Sequence, residues 1–344
     1  ALMRLLSALM AGVTALFVFL FLREALPAAR WAWTVGGLGV ALAPLLGYAS
    51  STVNPDALLF AVSAALFYCL ARAFRRGLTQ RMAIAIGALI AAGFLTKLNF
   101  IGLAPGAMLG VLVAARREAR TSGLRAYHRL LAPALLIGLS PGALYALVNV
   151  LSDHPTFGFL SGSVASVTNG SRSLSSELSY MWQFYLPRLP GMSNDFGELF
   201  STRQIWFRDT VGLYGWSDTA FPRWVYDAAL IPAGVVAALC IRGLAAGRTA
   251  LRARAAELAV YAAISLGVLA LVAGAGWLTF PSRVAEFTDA RYLLPMLALW
   301  GAVLALAARG AGRRWGPATG VLIVALVLAH DLFSQLQVIA RYYG

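Results

Sequence analysis

The chain has 344 residues, of which 60% are hydrophobic and only 12% charged, and its mean hydropathy is +0.74. The apolar residues come in long blocks, which excludes a soluble globular protein of this size and fits a polytopic membrane protein. A net charge of +14 would suggest nucleic acid in a soluble chain, but here the arginines fall between the apolar blocks and read as topology signals and contacts to anionic lipid.

In chain order, ten apolar segments stand out, at about 5–22, 34–49, 57–71, 82–95, 98–115, 130–150, 226–241, 258–278, 292–308 and 319–332. The predicted fold is all-α: a polytopic transmembrane helical bundle of about ten membrane segments with one large external loop. It divides into N-terminal membrane helices (1–150), an aromatic-rich loop (151–225) and C-terminal membrane helices (226–344). The gaps 23–30, 72–81, 116–129, 242–254 and 309–314 hold 18 of the 28 basic residues, so that face is expected to be cytoplasmic. Both chain ends and the opposite gaps then face outward, with the large loop extracytoplasmic. The chain opens Ala1-Leu-Met-Arg4 without an initiator Met or signal peptide, and so reads as a piece of a longer one.

The first outward gap carries Ser51-Thr-Val-Asn54-Pro55-Asp56, directly before an apolar run. Asn54 suits a helix cap, Pro55 a first turn, and Asp56 the positive end of the helix dipole. The pattern also fits a well-built helix start and nothing more. Residues 82–115 read as one interrupted helix or as two short ones meeting at Thr96-Lys97-Leu98-Asn99. Lys97, the one lysine of the chain, is there either a snorkelling anchor or a ligand contact.

In the loop, residues 161–176 are rich in Ser and Gly and read as mobile. The stretches Tyr180-Met-Trp182-Gln-Phe184-Tyr185, Trp206-Phe207, Tyr214-Gly-Trp216 and Trp224-Val-Tyr226 suit a helix in the headgroup layer or a platform under a lipid or sugar ring. Asp153, Asp195, Glu198 and Asp209 are candidate acids among which the sequence does not choose. Further on, Glu286-Phe-Thr-Asp289-Ala-Arg291-Tyr292 runs into an apolar helix. Arg291 suits a phosphate by paired hydrogen bonds, or an interfacial anchor paired with Asp289. His330-Asp331 reads as a helix-end pair.

His128, His154, His330, Cys69 and Cys240 have no zinc-ligand spacing, and the two cysteines read as small buried hydrophobes. There is no phosphate-binding Gly-x-x-x-x-Gly-Lys loop, no Gly-x-Gly-x-x-Gly after a strand and no Gly-x-Ser-x-Gly elbow. A transporter, a non-catalytic subunit of an envelope assembly complex and an enzyme acting on a lipid-borne substrate at the outer leaflet all remain. The external Asp56, Asp289 and Arg291 favour the enzyme.

The order of these stretches resembles a GT-C-type glycosyltransferase of the bacterial protein-mannosyltransferase and aminoarabinose-transferase group. Leu5-Leu-Ser-Ala-Leu-Met-Ala-Gly-Val-Thr with Arg23-Glu24 is similar to the second helix of that fold. Asn54-Pro-Asp56-Ala-Leu-Leu-Phe resembles the acidic motif of its second external loop, and Gly93-Phe-Leu-Thr96-Lys97 and Arg291-Tyr-Leu-Leu-Pro295 resemble two further stretches. The resemblance implies a polyprenyl-phosphate sugar donor, an envelope glycan, lipid or protein as acceptor, a bacterial plasma-membrane location and no nucleic-acid partner. It gives Asp56 a catalytic role, orienting the acceptor or a metal. Arg291 would neutralise the departing phosphate, and Lys97, Asn54 and Asp289 would complete substrate binding. It leaves open whether a divalent metal assists, and implies no other cofactor. The family's first helix and first external loop, which holds its leading acid, would precede Leu5.

Overall fold

The computed structural model describes residues 2–154, 174–193, 203–214, 219–279 and 289–343. Asp195, Glu198, Trp216, Glu286 and most of the Ser/Gly-rich stretch lie outside the described residues. What is described is helical apart from one short antiparallel ladder, β1 (Leu213–Tyr214) with β2 (Thr219–Ala220).

Helix α1 (Leu2–Ala25) is followed by α2 (Arg30–Ala41) and α3 (Pro44–Ser51), which bend by 47° where Pro44 begins a new helix. Helix α4 (Asp56–Arg76) is followed by α5 (Gln80–Thr96), whose start is capped by the Thr79 hydroxyl accepting the Met82 N–H at 3.3 Å. Helix α6 (Ala104–Leu151) is broken inside its basic stretch at Gly123 (φ 80°, ψ 174°). Then come α7 (Leu174–Tyr185), α8 (Arg223–Ala246), α9 (Ala255–Thr279), α10 (Leu297–Gly310) and α11 (Gly312–Tyr343). A 3₁₀ segment, Ala290–Met296, leads into α10.

Among the described residues, seven helices are long and apolar enough to cross a membrane, or eight if the bent α2–α3 pair is one span. This supports the all-α multi-span bundle at a coarser count than the ten segments expected, and it takes the two arms of α6 on either side of Gly123 as one helix. Helix α5, at 17 residues, is short for a span, and the apolar runs 98–115 and 130–150 lie largely on the two arms of α6, one on each side of the break at Gly123. Between α5 and α6 the chain is neither a continuous helix nor a simple turn: Lys97 is extended and Leu98–Gly102 forms a 3₁₀ turn.

Helix α4 is the centre of the bundle, enclosed by α1 and α5 along its length, while α8 and α11 flank α10. The outer helices expose Leu136, Leu144, Ile231, Val321 and Leu336, a surface that lipid solvates and water does not. Small residues let the helices approach closely. A Cβ at Gly243 of α8 would lie 2.6 Å from the Leu306 carbonyl oxygen of α10, so the backbones meet there without intervening side chains.

Two sequence expectations change. In α7, Tyr180 and Phe184 are fully buried against Val272 and Ala273 of α9. The Tyr185 hydroxyl donates to the Leu269 carbonyl at 2.7 Å, and Trp206 Nε1 donates to the Phe184 carbonyl at 2.6 Å. These rings join the loop to the bundle, and their buried faces do not form an open platform. His330 is not at a helix end, because α11 continues to Tyr343; its Nε2 donates to the Val211 carbonyl. The apolar run stops near Leu332, but the helix does not.

Candidate functional site

The site forms at the Asp56 end of α4. At 1.5 Å per residue, the 21 residues of α4 put this end about 30 Å from Arg75 and Arg76. Asn54 Oδ1 accepts the Asp56 N–H at 2.9 Å, one of the donors that every helix start leaves without an intrahelical partner. This fixes the backbone of Asp56, whose side chain is only 3% exposed.

Lys97 reaches Asp56 from the α5 junction, with Nζ 2.5 Å from Oδ1. Its position depends on Gly93: a Cβ there would collide with the ring of Phe100, which folds back over α5 and turns the chain at Lys97. The second carboxylate oxygen, Asp56 Oδ2, is buried and has no hydrogen-bond partner among the described residues. A buried acceptor without a donor is costly, so that oxygen is available to an incoming hydroxyl or amine.

The segment before α10 closes the other side. Asp289 Oδ1 accepts the Arg291 N–H at 2.9 Å, and its Oδ2 lies 2.8 Å from Arg291 Nε. The ring of Tyr292 stands between two cations, 5.5 Å from Lys97 Nζ and 5.4 Å from the Arg291 guanidinium. Arg291 also lies within the electrostatic reach of Asp56.

Asp209 completes the cluster. It is 5% exposed and accepts the Ala290 N–H. Burial, and then the charge and hydrogen bonding of Asp289, push its carboxyl up to about 7 against the opposing pull of the Ala290 N–H and Arg291. The unfolded chain would release this proton near 3.8, before the folded one does. Stability relative to Asp209→Asn is therefore expected to fall as pH rises from about 4 to about 7 and then level off. Unfolding midpoints of both proteins across that range check this; parallel curves would contradict it.

The structure thus brings together Asp56, Asn54, Lys97, Asp289 and Arg291. Of the two candidate loop acids among the described residues, Asp153 and Asp209, it is Asp209 that lies beside Asp289, and Tyr292 joins the cluster as well. Asp153 lies beyond the end of α6. A cleft of about 350 Å³ is lined by Tyr48, Ser51, Tyr214, Asp331 and Ser334. Tyr214 is within electrostatic reach of Asp209. No group of three His, Cys, Asp or Glu side chains gathers among the described residues, and Asp56 and Asp289 already face cations. The described residues do not by themselves form a divalent-metal site.

The fold and cluster define a multi-pass helical membrane protein with buried acids and cations gathered at one end of the bundle. Residues 1–145 match the model of the family described as dolichyl-phosphate-mannose-protein mannosyltransferase, a distant and partial relation to a GT-C-like mannosyltransferase domain. Comparison with curated proteins and with solved structures finds no match. The matched part contains Asn54, Asp56 and Lys97; Asp209, Asp289 and Arg291 come from the chain beyond it.

Proposed function

We propose that the protein transfers a sugar from a polyprenyl-phosphate carrier to a glycan, lipid or protein acceptor at the outer face of the bacterial plasma membrane. The observation that carries this reading is the buried Asp56 carboxylate, held at one oxygen by Lys97 and unpartnered at the other among the described residues, with Arg291 nearby. The N-terminal family match supports the same chemistry.

In this reading the donor phosphate enters between Lys97 and Arg291, whose guanidinium Asp289 holds in place. The acceptor approaches through the cleft beside Tyr214, and Asp56 Oδ2 takes the proton of its nucleophile. A bond forms between the acceptor atom and the anomeric carbon as the bond from that carbon to the phosphate oxygen breaks. Polyprenyl phosphate departs with its new negative charge facing the two cations. Asn54 fixes Asp56, while Asp209 and Tyr292 hold the cluster in shape.

A transporter would carry charged groups along its path. Among the described residues the buried ones sit at the two ends instead: Asp56 and Asp209 at one, Glu24 and Glu257 at the other. Arg291→Ala is expected to weaken binding of a synthetic polyprenyl-phosphate sugar about tenfold and leave acceptor affinity unchanged. Titration of the purified full-length protein with each ligand checks this; donor affinity equal to that of the wild type would remove Arg291 from the site.

A further inference from the structure

The larger cavity, about 550 Å³, lies at the opposite, arginine-rich end, where the ends of α1 and α4, the middle of α6 and the start of α9 meet. Its volume falls in the range of small-molecule sites. Five arginines and two glutamates line it.

Both glutamates are already committed. Glu24 is buried and bridged by Arg75 at 3.5 Å and by Arg76 at 2.6 Å. Glu257, equally buried, receives two bonds from Arg254, at 2.8 and 2.6 Å, and one from the Tyr261 hydroxyl at 2.7 Å. Three of the arginines also have structural duties at helix ends, where carbonyls lack intrahelical donors. Arg75 donates to the Glu24 carbonyl at 3.0 Å, Arg117 to the Phe74 carbonyl at 3.2 Å, and Arg254 to the Ala25 carbonyl.

Arg116 and Arg120 are different. They lie four residues apart, so both side chains fall on one face of α6, both line the cavity, and neither has an ion pair or hydrogen bond to any described residue. The positive-inside rule accounts for arginines at this end, but it does not require a cavity with its carboxylates neutralised and two guanidiniums left over. Guanidinium pairs match phosphate oxygens in geometry as well as charge. We propose that this cavity binds a phosphate group through Arg116 and Arg120, most simply the headgroup of an anionic phospholipid of the inner leaflet. This site does not depend on the sugar-transfer reading, since it is at the far end of α4.

The test is native mass spectrometry of the full-length protein titrated with phosphatidylglycerol, phosphatidylcholine and glycerol 3-phosphate. Phosphatidylglycerol is expected to bind about tenfold more tightly than phosphatidylcholine, and Arg116→Gln/Arg120→Gln to lose that preference. Arg313→Gln, at the same end but outside the cavity, is expected to leave it intact. Displacement of the lipid by equimolar glycerol 3-phosphate would identify a soluble phosphate ester as the ligand. Displacement only at large excess would identify the lipid, and either supports the phosphate site. If the double variant fails to fold, each single glutamine variant carries the test, with an expected loss of about threefold. Equal binding of the two lipids, an unchanged preference without Arg116 and Arg120, or an equal loss in Arg313→Gln would overturn the proposal.

Discussion

Asp56→Asn is expected to reduce sugar transfer by at least about a hundredfold while the protein stays folded. The amide keeps the shape of the carboxylate and can still accept from Lys97, but it cannot take up the proton that leaves the acceptor. Folding survives because Lys97, 26% exposed, can turn its ammonium toward water when its countercharge is gone. Initial transfer rates in proteoliposomes, with unfolding midpoints of the same preparations, separate the two effects. Turnover within about threefold of the wild type would remove Asp56 from the chemistry.

The converse substitution is expected to act on stability. Lys97→Met strands a carboxylate that is only 3% exposed, and breaking a buried pair from one side costs about 3–5 kcal/mol. The same pair is therefore asymmetric: losing the acid harms catalysis and losing the base harms the fold. Asp56→Asn/Lys97→Met, with no stranded charge, should recover most of that loss. Denaturant titration of the three variants in one detergent checks this. A Lys97→Met protein as stable as the wild type would mean that the ion pair contributes nothing to holding α5 against α4.

Much of the helical framework was legible because lipid demands apolar runs, and the arginine gaps separated the two ends of the bundle. Span number was less legible. The break at Gly123 lies in the basic stretch between two apolar runs, so the gap was readable, but that both arms of α6 stay helical up to that one residue was not. The 3₁₀ turn after Lys97 depends on Gly93 fitting against Phe100, a contact that no periodicity reveals.

For the site, local motifs identified its parts but not its assembly. Asn54 as a cap and Asp289 beside Arg291 are short-range arrangements, readable from spacing. Lys97 meets Asp56 across 41 positions, and Asp209 meets Ala290 across 81. Nothing in the sequence distinguished Asp209 from the other loop acids. Arginines that read alike as topology signals divide in the structure into those that cap helix carbonyls, such as Arg75 and Arg117, and those left free in a cavity, such as Arg116 and Arg120.

The most direct test of sugar transfer is the fate of a defined donor. A synthetic polyprenyl-phosphate hexose, labelled in both sugar and lipid, would be placed in the outer leaflet of proteoliposomes containing the full-length protein and an envelope extract as acceptor. The expected result is release of free polyprenyl phosphate with the sugar on an acceptor, and neither product with Asp56→Asn. Movement of the intact donor to the other leaflet, with the sugar still attached and no dependence on Asp56, would contradict it and make the protein a lipid transporter.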